Sequence, residues 1–185
     1  GGRRAMRVAL PLAGTVWAYD LVAKTTPAGP PTMAAARALD VLLGSAGTVS
    51  PASLRASALV GAHTLGVTVV SRGEVHGAAR SVPAMALAGT ALVALTAGSA
   101  SAPRSSALVR AGLLAAYAGT AGRPLVEAVR DPSPARLRRA VGAGILGLVP
   151  LQGALAAGAG APRAGLAVSS ALPVARLLTR RVSAT

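Results

Sequence analysis

Within ten residues, Ser71-Arg72-Gly73-Glu74-Val75-His76-Gly77-Ala78-Ala79-Arg80 offers one carboxylate, one imidazole, two guanidiniums and two glycines. A hard cation such as magnesium is held by carboxylate oxygens together with substrate phosphates, so this set suits the handling of a metal-bound anion. An ordinary basic loop between two helices is the plainer reading of the same residues. A second polar group lies upstream. Asp20 and Lys24 are spaced i, i+4 with the acid first, the favourable order for a helix pair. They read either as a helix-end salt bridge or as a lysine at the mouth of a cavity, donating to a diphosphate. Arg37 and Asp40, at i, i+3, share one face of an apolar helix, where ionisable groups usually face the bundle interior or a wet cavity. They read as cavity-lining groups or as a structural ion pair.

The elements that must position these groups are apolar. The chain has 185 residues, 52% of them hydrophobic, 13% charged and none of them Phe or Cys. Its mean hydropathy is +0.57, and a soluble domain carries about 25% charged residues. Absence of cysteine excludes a disulfide framework, an Fe–S cluster and a thiol nucleophile. Seven apolar segments follow one another at about 5–23, 31–48, 52–71, 81–98, 104–122, 135–158 and 162–180. Most have the length of about 17–25 residues that lets a helix cross a bilayer. The expected fold is all-α, a polytopic transmembrane bundle of about seven helices. Pro31, Pro51, Pro134 and Pro162 stand at or near helix starts, where a missing N–H does no harm. Small residues such as Gly142-Ala143-Gly144 and Gly153-Ala154 let helix backbones approach closely.

The net charge of +14 does not point to nucleic acid, because the basic residues cluster at the ends of apolar runs without interleaved aromatics. Positive-inside topology accounts for them instead. One set of alternate loops and ends holds eleven basic residues (Lys24, Arg72, Arg80, Arg123, Arg130, Arg136, Arg138, Arg139, Arg176, Arg180 and Arg181) against seven in the other. The first set, which also carries Glu74, is expected to be cytoplasmic, on the inner face of a cell membrane. The 123–139 stretch reads as a solvated, headgroup-facing segment. His63, alone on an apolar helix, reads as a satisfied interior histidine. Eighteen arginines to one lysine hint at a GC-rich bacterial coding bias. No Ser–His–Asp, HExxH, P-loop or dinucleotide-binding pattern occurs, which counts against hydrolases and nucleotide-driven pumps.

Trp17-Ala18-Tyr19-Asp20-Leu21-Val22-Ala23-Lys24-Thr25-Thr26-Pro27 resembles a helix end and Lys/Thr/Pro loop of the UbiA superfamily of intramembrane prenyltransferases. Ser71 to Gly77 stands where that family's second acidic motif falls, two helices later, and the tail from Leu172 to Arg176 and from Val182 to Thr185 is similar to the end of a bacterial branch. The resemblance implies a magnesium-dependent enzyme that ionises an isoprenyl diphosphate in the membrane and passes the prenyl group to an acceptor of unspecified identity. Diphosphate departure calls for charge stabilisation, and a dry cavity protects the carbocation. Carried onto this chain, Tyr19 and Asp40 would be the catalytic, cavity-lining residues. Lys24, Arg37, Arg72 and Arg80 would bind the diphosphate and line the cavity, and Glu74 with His76 would serve the metal. The family's first acidic motif is absent, with no DxxxD or DDxxD anywhere, and the second is reduced to Glu74 and His76. The expectation is thus of a single prenyltransferase-like domain over 1–185 that lacks upstream helices bearing the first motif, inactive unless completed. The competing expectation is a non-enzymatic membrane protein, a small transporter or assembly factor whose arginines only set topology.

Overall fold

The computed structural model describes residues 2–45, 49–99 and 103–173. Among them there is no strand, and seven continuous helical segments follow one another. The elements are α1 (Gly2–Ala18) with a π-helical turn (Tyr19–Ala23), α2 (Gly29–Gly44), α3 (Pro51–Ser71) and α4 (Ser81–Gly98). After these come α5 (Arg104–Tyr117), a second π turn (Ala118–Gly122), α6 (Arg123–Arg130), α7 (Pro134–Gly158) and α8 (Pro162–Ser169). Three helices, α3, α4 and α7, are long and apolar enough to cross a membrane. Arg176, Arg180, Arg181 and most of the tail that entered the topology count lie outside the described residues.

Helix starts follow local chemistry. Pro30 and Pro31 lie in the first turn of α2, and Pro51, Pro134 and Pro162 open α3, α7 and α8. The start of α3 is closed by a capping box, in which the Ser50 Oγ accepts from the Ser53 N–H at 3.1 Å and the Ser53 Oγ accepts from the Ser50 N–H at 2.8 Å. The fifth segment departs from the sequence reading. Rather than ending at 122, the chain passes through the π turn into α6 and stops only at Arg130. Pro124 cannot donate to the preceding turn, and the widened π turn just before it accommodates that loss. Helix α6 is held because its Leu125 and Ala128 are buried in one core cluster with Val70, Ala86, Leu137, Ala140 and Val141. The headgroup-facing segment expected over 123–139 is therefore two amphipathic helix ends joined by a three-residue break.

The helices meet closely through small residues and carry many large apolar side chains on the outside. Helix α3 packs on α2, α4 and α7, and α7 packs in turn on α5 and α8. Among the described residues helix α1 packs only on α2 and its own π turn, at the edge of the bundle. Contacts run through small residues: a Cβ on Gly61 would sit 3.3 Å from the Ala34 carbonyl oxygen, and one on Gly144 would sit 2.6 Å from Val67 Cγ2. Trp17, Leu21, Met85, Leu92, Leu95 and Leu108 point outward and are exposed. An exterior of large apolar side chains, with helix contacts made closely through Gly and Ala, matches a lipid surround, where backbone packing joins helices. Connections at 24–28, 72–80 and 131–133 gather at one end of the bundle, the Lys24 end. Those around Ser50, Ser99 and Ala159 gather at the other, the Ser50 end.

Candidate functional site

The polar stretch around Tyr19 is shaped by the first π turn. The Lys24 N–H donates to the Tyr19 carbonyl at 2.9 Å, and Thr26 Oγ1 donates to the Ala23 carbonyl at 2.9 Å. Gly29 then starts α2 so close to this turn that a Cβ would lie 2.9 Å from the Ala23 carbonyl oxygen. The tight corner lays α2 along α1 and leaves a cavity of about 320 Å³ between them, lined by Tyr19, Asp20, Arg37 and Asp40 with apolar Leu12, Val16, Met33 and Ala36. Arg37 and Asp40 meet only at 3.9 Å, and both side chains are more than half exposed. They face this open groove rather than the bundle interior. With two carboxylates to one guanidinium, the groove is net negative and does not attract a diphosphate. It suits a cationic or hydrogen-bonding group.

The expected anion ligands lie elsewhere, at the Lys24 end. Arg72 Nη1 donates to the Thr26 carbonyl at 2.9 Å, tying the 72–80 loop to the Lys24 turn. Arg138 Nη1 donates to the Glu74 carbonyl at 2.7 Å, and the Ala78 N–H donates to the Pro132 carbonyl at 3.3 Å, fastening the same loop to α7 and its connector. The two loop glycines are there for packing. Gly73 is buried where a Cβ would lie 2.7 Å from Leu137 Cδ1, and Gly77 has φ +80° with the Pro132 carbonyl oxygen 3.1 Å from the Cβ position. Lys24, Arg72, His76 and Arg80 are exposed and Glu74 is half-buried. Asp20 and Lys24 form no ion pair among the described residues, since an exposed pair gains too little to fix two flexible side chains. Glu127 is taken by Arg136 at 2.7 Å and Arg139 at 3.5 Å, and Asp131 lies 3.8 Å from Arg136 while accepting from the Ser133 N–H and hydroxyl.

The eight residues singled out in the sequence thus fall into two places. Tyr19, Arg37 and Asp40 line the α1–α2 groove, whereas Lys24, Arg72, Glu74, His76 and Arg80 belong to the Lys24 end and line no part of it. Nor do the residues present fit a magnesium site. Among the described residues no three His, Asp or Glu side chains converge, and one carboxylate beside an imidazole is a poor donor set for a hard cation that prefers oxygen.

The sequence reading missed two interior features. Tyr117, fully buried, meets His63 Nδ1 at 2.8 Å, and His63 Nε2 meets the Gly144 carbonyl at 2.9 Å. A carbonyl only accepts, so Nε2 carries the proton, and in the neutral ring Nδ1 accepts from the Tyr117 hydroxyl. His63 is a satisfied interior histidine, as its apolar helix suggested, and it joins α3, α5 and α7. The other feature is at the Ser50 end, where Arg110, which like Arg55 entered the sequence reading only as a topology charge, is buried and Arg55 is half-buried. Arg110 is 8% exposed. Their signal in the sequence was their place within apolar segments rather than in the loops.

Comparison with protein-family models, with curated proteins and with solved structures finds no match.

Proposed function

We propose that this chain works in the membrane on an isoprenyl diphosphate, as a UbiA-type prenyltransferase or the C-terminal portion of one, with its Lys24 end cytoplasmic. The observation that carries this reading is the Arg72–Thr26 hydrogen bond. It brings the Lys24 turn and the Glu74 loop, 46 residues apart, to one basic rim. Lys24, Arg72, Arg80 and Arg138 give that rim a concentration of donors for phosphate oxygens, with Glu74 the one carboxylate of the loop. The apolar exterior of the neighbouring helices accommodates a prenyl tail, which keeps the diphosphate at the interface. The chain's own contribution to prenyl transfer is then to hold the diphosphate and neutralise the charge developing on it as it leaves. No step is assigned to magnesium, because the donor set does not fit it.

A second reading has one observation in its favour: Arg72, Arg136, Arg138 and Arg139 all make contacts within the protein. On that reading the basic rim is structural, and the chain is a non-enzymatic membrane protein. Binding of geranyl thiodiphosphate, an inert analogue, to the purified chain in phosphatidylcholine nanodiscs separates the two, with prenyl transfer to a panel of aromatic acceptors as the second readout. Lys24→Ala is expected to weaken analogue binding by about tenfold, the loss of one charge-assisted contact. No binding by the parent chain, or equal binding by Lys24→Ala and Arg72→Ala variants, refutes the enzyme reading.

A further inference from the structure

The largest of the cavities described lies apart from both the α1–α2 groove and the Lys24 end. It lies at the Ser50 end, measures about 580 Å³, and is a partly open cavity lined by the ends of α2, α3, α4 and α7. That volume falls in the range of about 300–1,000 Å³ typical of small-molecule sites, which combine apolar walls with a few placed polar groups. The walls here are Val41, Val60, Ala97 and Leu155, and the polar pole is Arg55 with Ser50.

Arg55 is the informative residue. Its Nη2 donates to the Thr96 carbonyl and, at 3.0 Å, to Ser99 Oγ, which fixes the side chain against α4. Both bonds use one nitrogen, so Nε–H and both Nη1 protons have no acceptor among the described residues. A guanidinium held in place by one nitrogen, with its remaining donors unmatched at the rim of an apolar cavity, is prepared for an anion. One further partial charge points the same way. The N-terminus of α3, a helix of 21 residues, opens onto the cavity through Ser50 and Ser53 and adds the positive end of its dipole. None of the five acidic residues of the chain lines the cavity to offset these charges.

We propose that this cavity is a binding site for an anionic amphiphile, its carboxylate or phosphate head on Arg55 and its acyl chain between α2, α3 and α7. The site lies at the opposite end of the bundle from Lys24 and does not depend on the prenyltransferase reading. The same chemistry is available from a bilayer phospholipid or from a free fatty acid, and two probes distinguish them: diazirine-bearing palmitate and phosphatidic acid with a diazirine in one acyl chain. Each is photo-crosslinked to the full chain in phosphatidylcholine nanodiscs, and the labelled peptides are mapped by mass spectrometry. Labelling within 41–60 or 152–159 by either probe is expected, and the probe that labels identifies the source. Arg55→Gln is expected to reduce it by about tenfold or more. Because Arg55 also joins α3 to α4, Ala156→Leu serves as a second variant that fills the cavity without touching that contact, and it is expected to abolish labelling at unchanged helicity. Labelling spread over outward residues such as Leu92 and Leu95, equal labelling of both variants and the parent chain, or equal competition by uncharged monopalmitoylglycerol overturns the proposal.

Discussion

Replacing the Tyr117 hydroxyl tests whether the interior of this bundle is organised by a single polar bridge. Tyr117→Phe keeps the ring and its edge-to-face contact with His63, where centroids are 5.2 Å apart and planes 71° from parallel. It removes the hydroxyl that donates to Nδ1 at 2.8 Å and that also hydrogen-bonds with the Thr90 side chain, which the double-variant cycle separates out. His63 is 4% exposed, so water does not replace the lost donor. Leaving a buried acceptor unpaired costs about 1–3 kcal/mol in soluble proteins. Between membrane helices the measured coupling is smaller, on average about 0.6 and at most about 1.7 kcal/mol, because the unfolded chain in lipid also finds partners. The lipid reference governs here, since α3 and α7 are long and apolar enough to span a membrane. The complete enclosure of both groups places the expectation in the upper half of that range, about 1–1.5 kcal/mol. The assay is reversible unfolding by SDS in mixed micelles, followed by far-UV circular dichroism, on Tyr117→Phe, His63→Leu and the double variant. The coupling energy from this cycle isolates the hydrogen bond from the packing changes of each single variant. A coupling below about 0.3 kcal/mol refutes the claim that the bridge joins α3 to α5.

Two further outcomes are expected from the same unfolding measurement. Gly153→Ala drives a Cβ to 2.7 Å from the Gly165 carbonyl oxygen and into contact with Ser169 Oγ. Ser169 Oγ can rotate away, but the Gly165 carbonyl is backbone, so α8 must part from α7 at a cost near the top of the overpacking range of about 1–3 kcal/mol. Gly142→Ala, where nothing lies within 4 Å of the new Cβ, is expected to be neutral or to stabilise by up to about 1 kcal/mol. Equal effects of the two would contradict the α7–α8 packing. Glu127→Gln removes the pairs with Arg136 and Arg139, whose side chains are 41% and 64% exposed. The loss is expected to be below about 1 kcal/mol at low salt and to vanish near 1 M salt, where screening acts over about 3 Å. A salt-independent loss would show that the network is worth more than its exposure suggests.

What the sequence by itself determined is the set of helices and most of their ends. Apolar runs of spanning length, broken near 27–31 and at 72–80 and restarted at Pro51, Pro134 and Pro162, are local facts, and the structure keeps them to within a few residues. The satisfied state of His63 was legible for a similar reason, since an imidazole alone in an apolar helix must find partners in the interior. The tertiary structure alone decided which polar groups share a space. It placed Asp40 and Arg37 in an open groove with Tyr19, apart from Lys24 and Glu74. It carried the fifth segment through Pro124 to Arg130, turned Arg55 from a topology charge into the polar edge of a cavity, and buried Arg110 against α7. Cavity membership depends on how each helix is rotated about its axis. A helix with Ala, Gly and Val on every side, such as α3 or α4, carries no apolar stripe to announce that rotation. It is set by contacts such as Gly61 on Ala34, Gly144 on Val67 and Gly153 on Gly165, where the fit of two backbones chooses the facing residues.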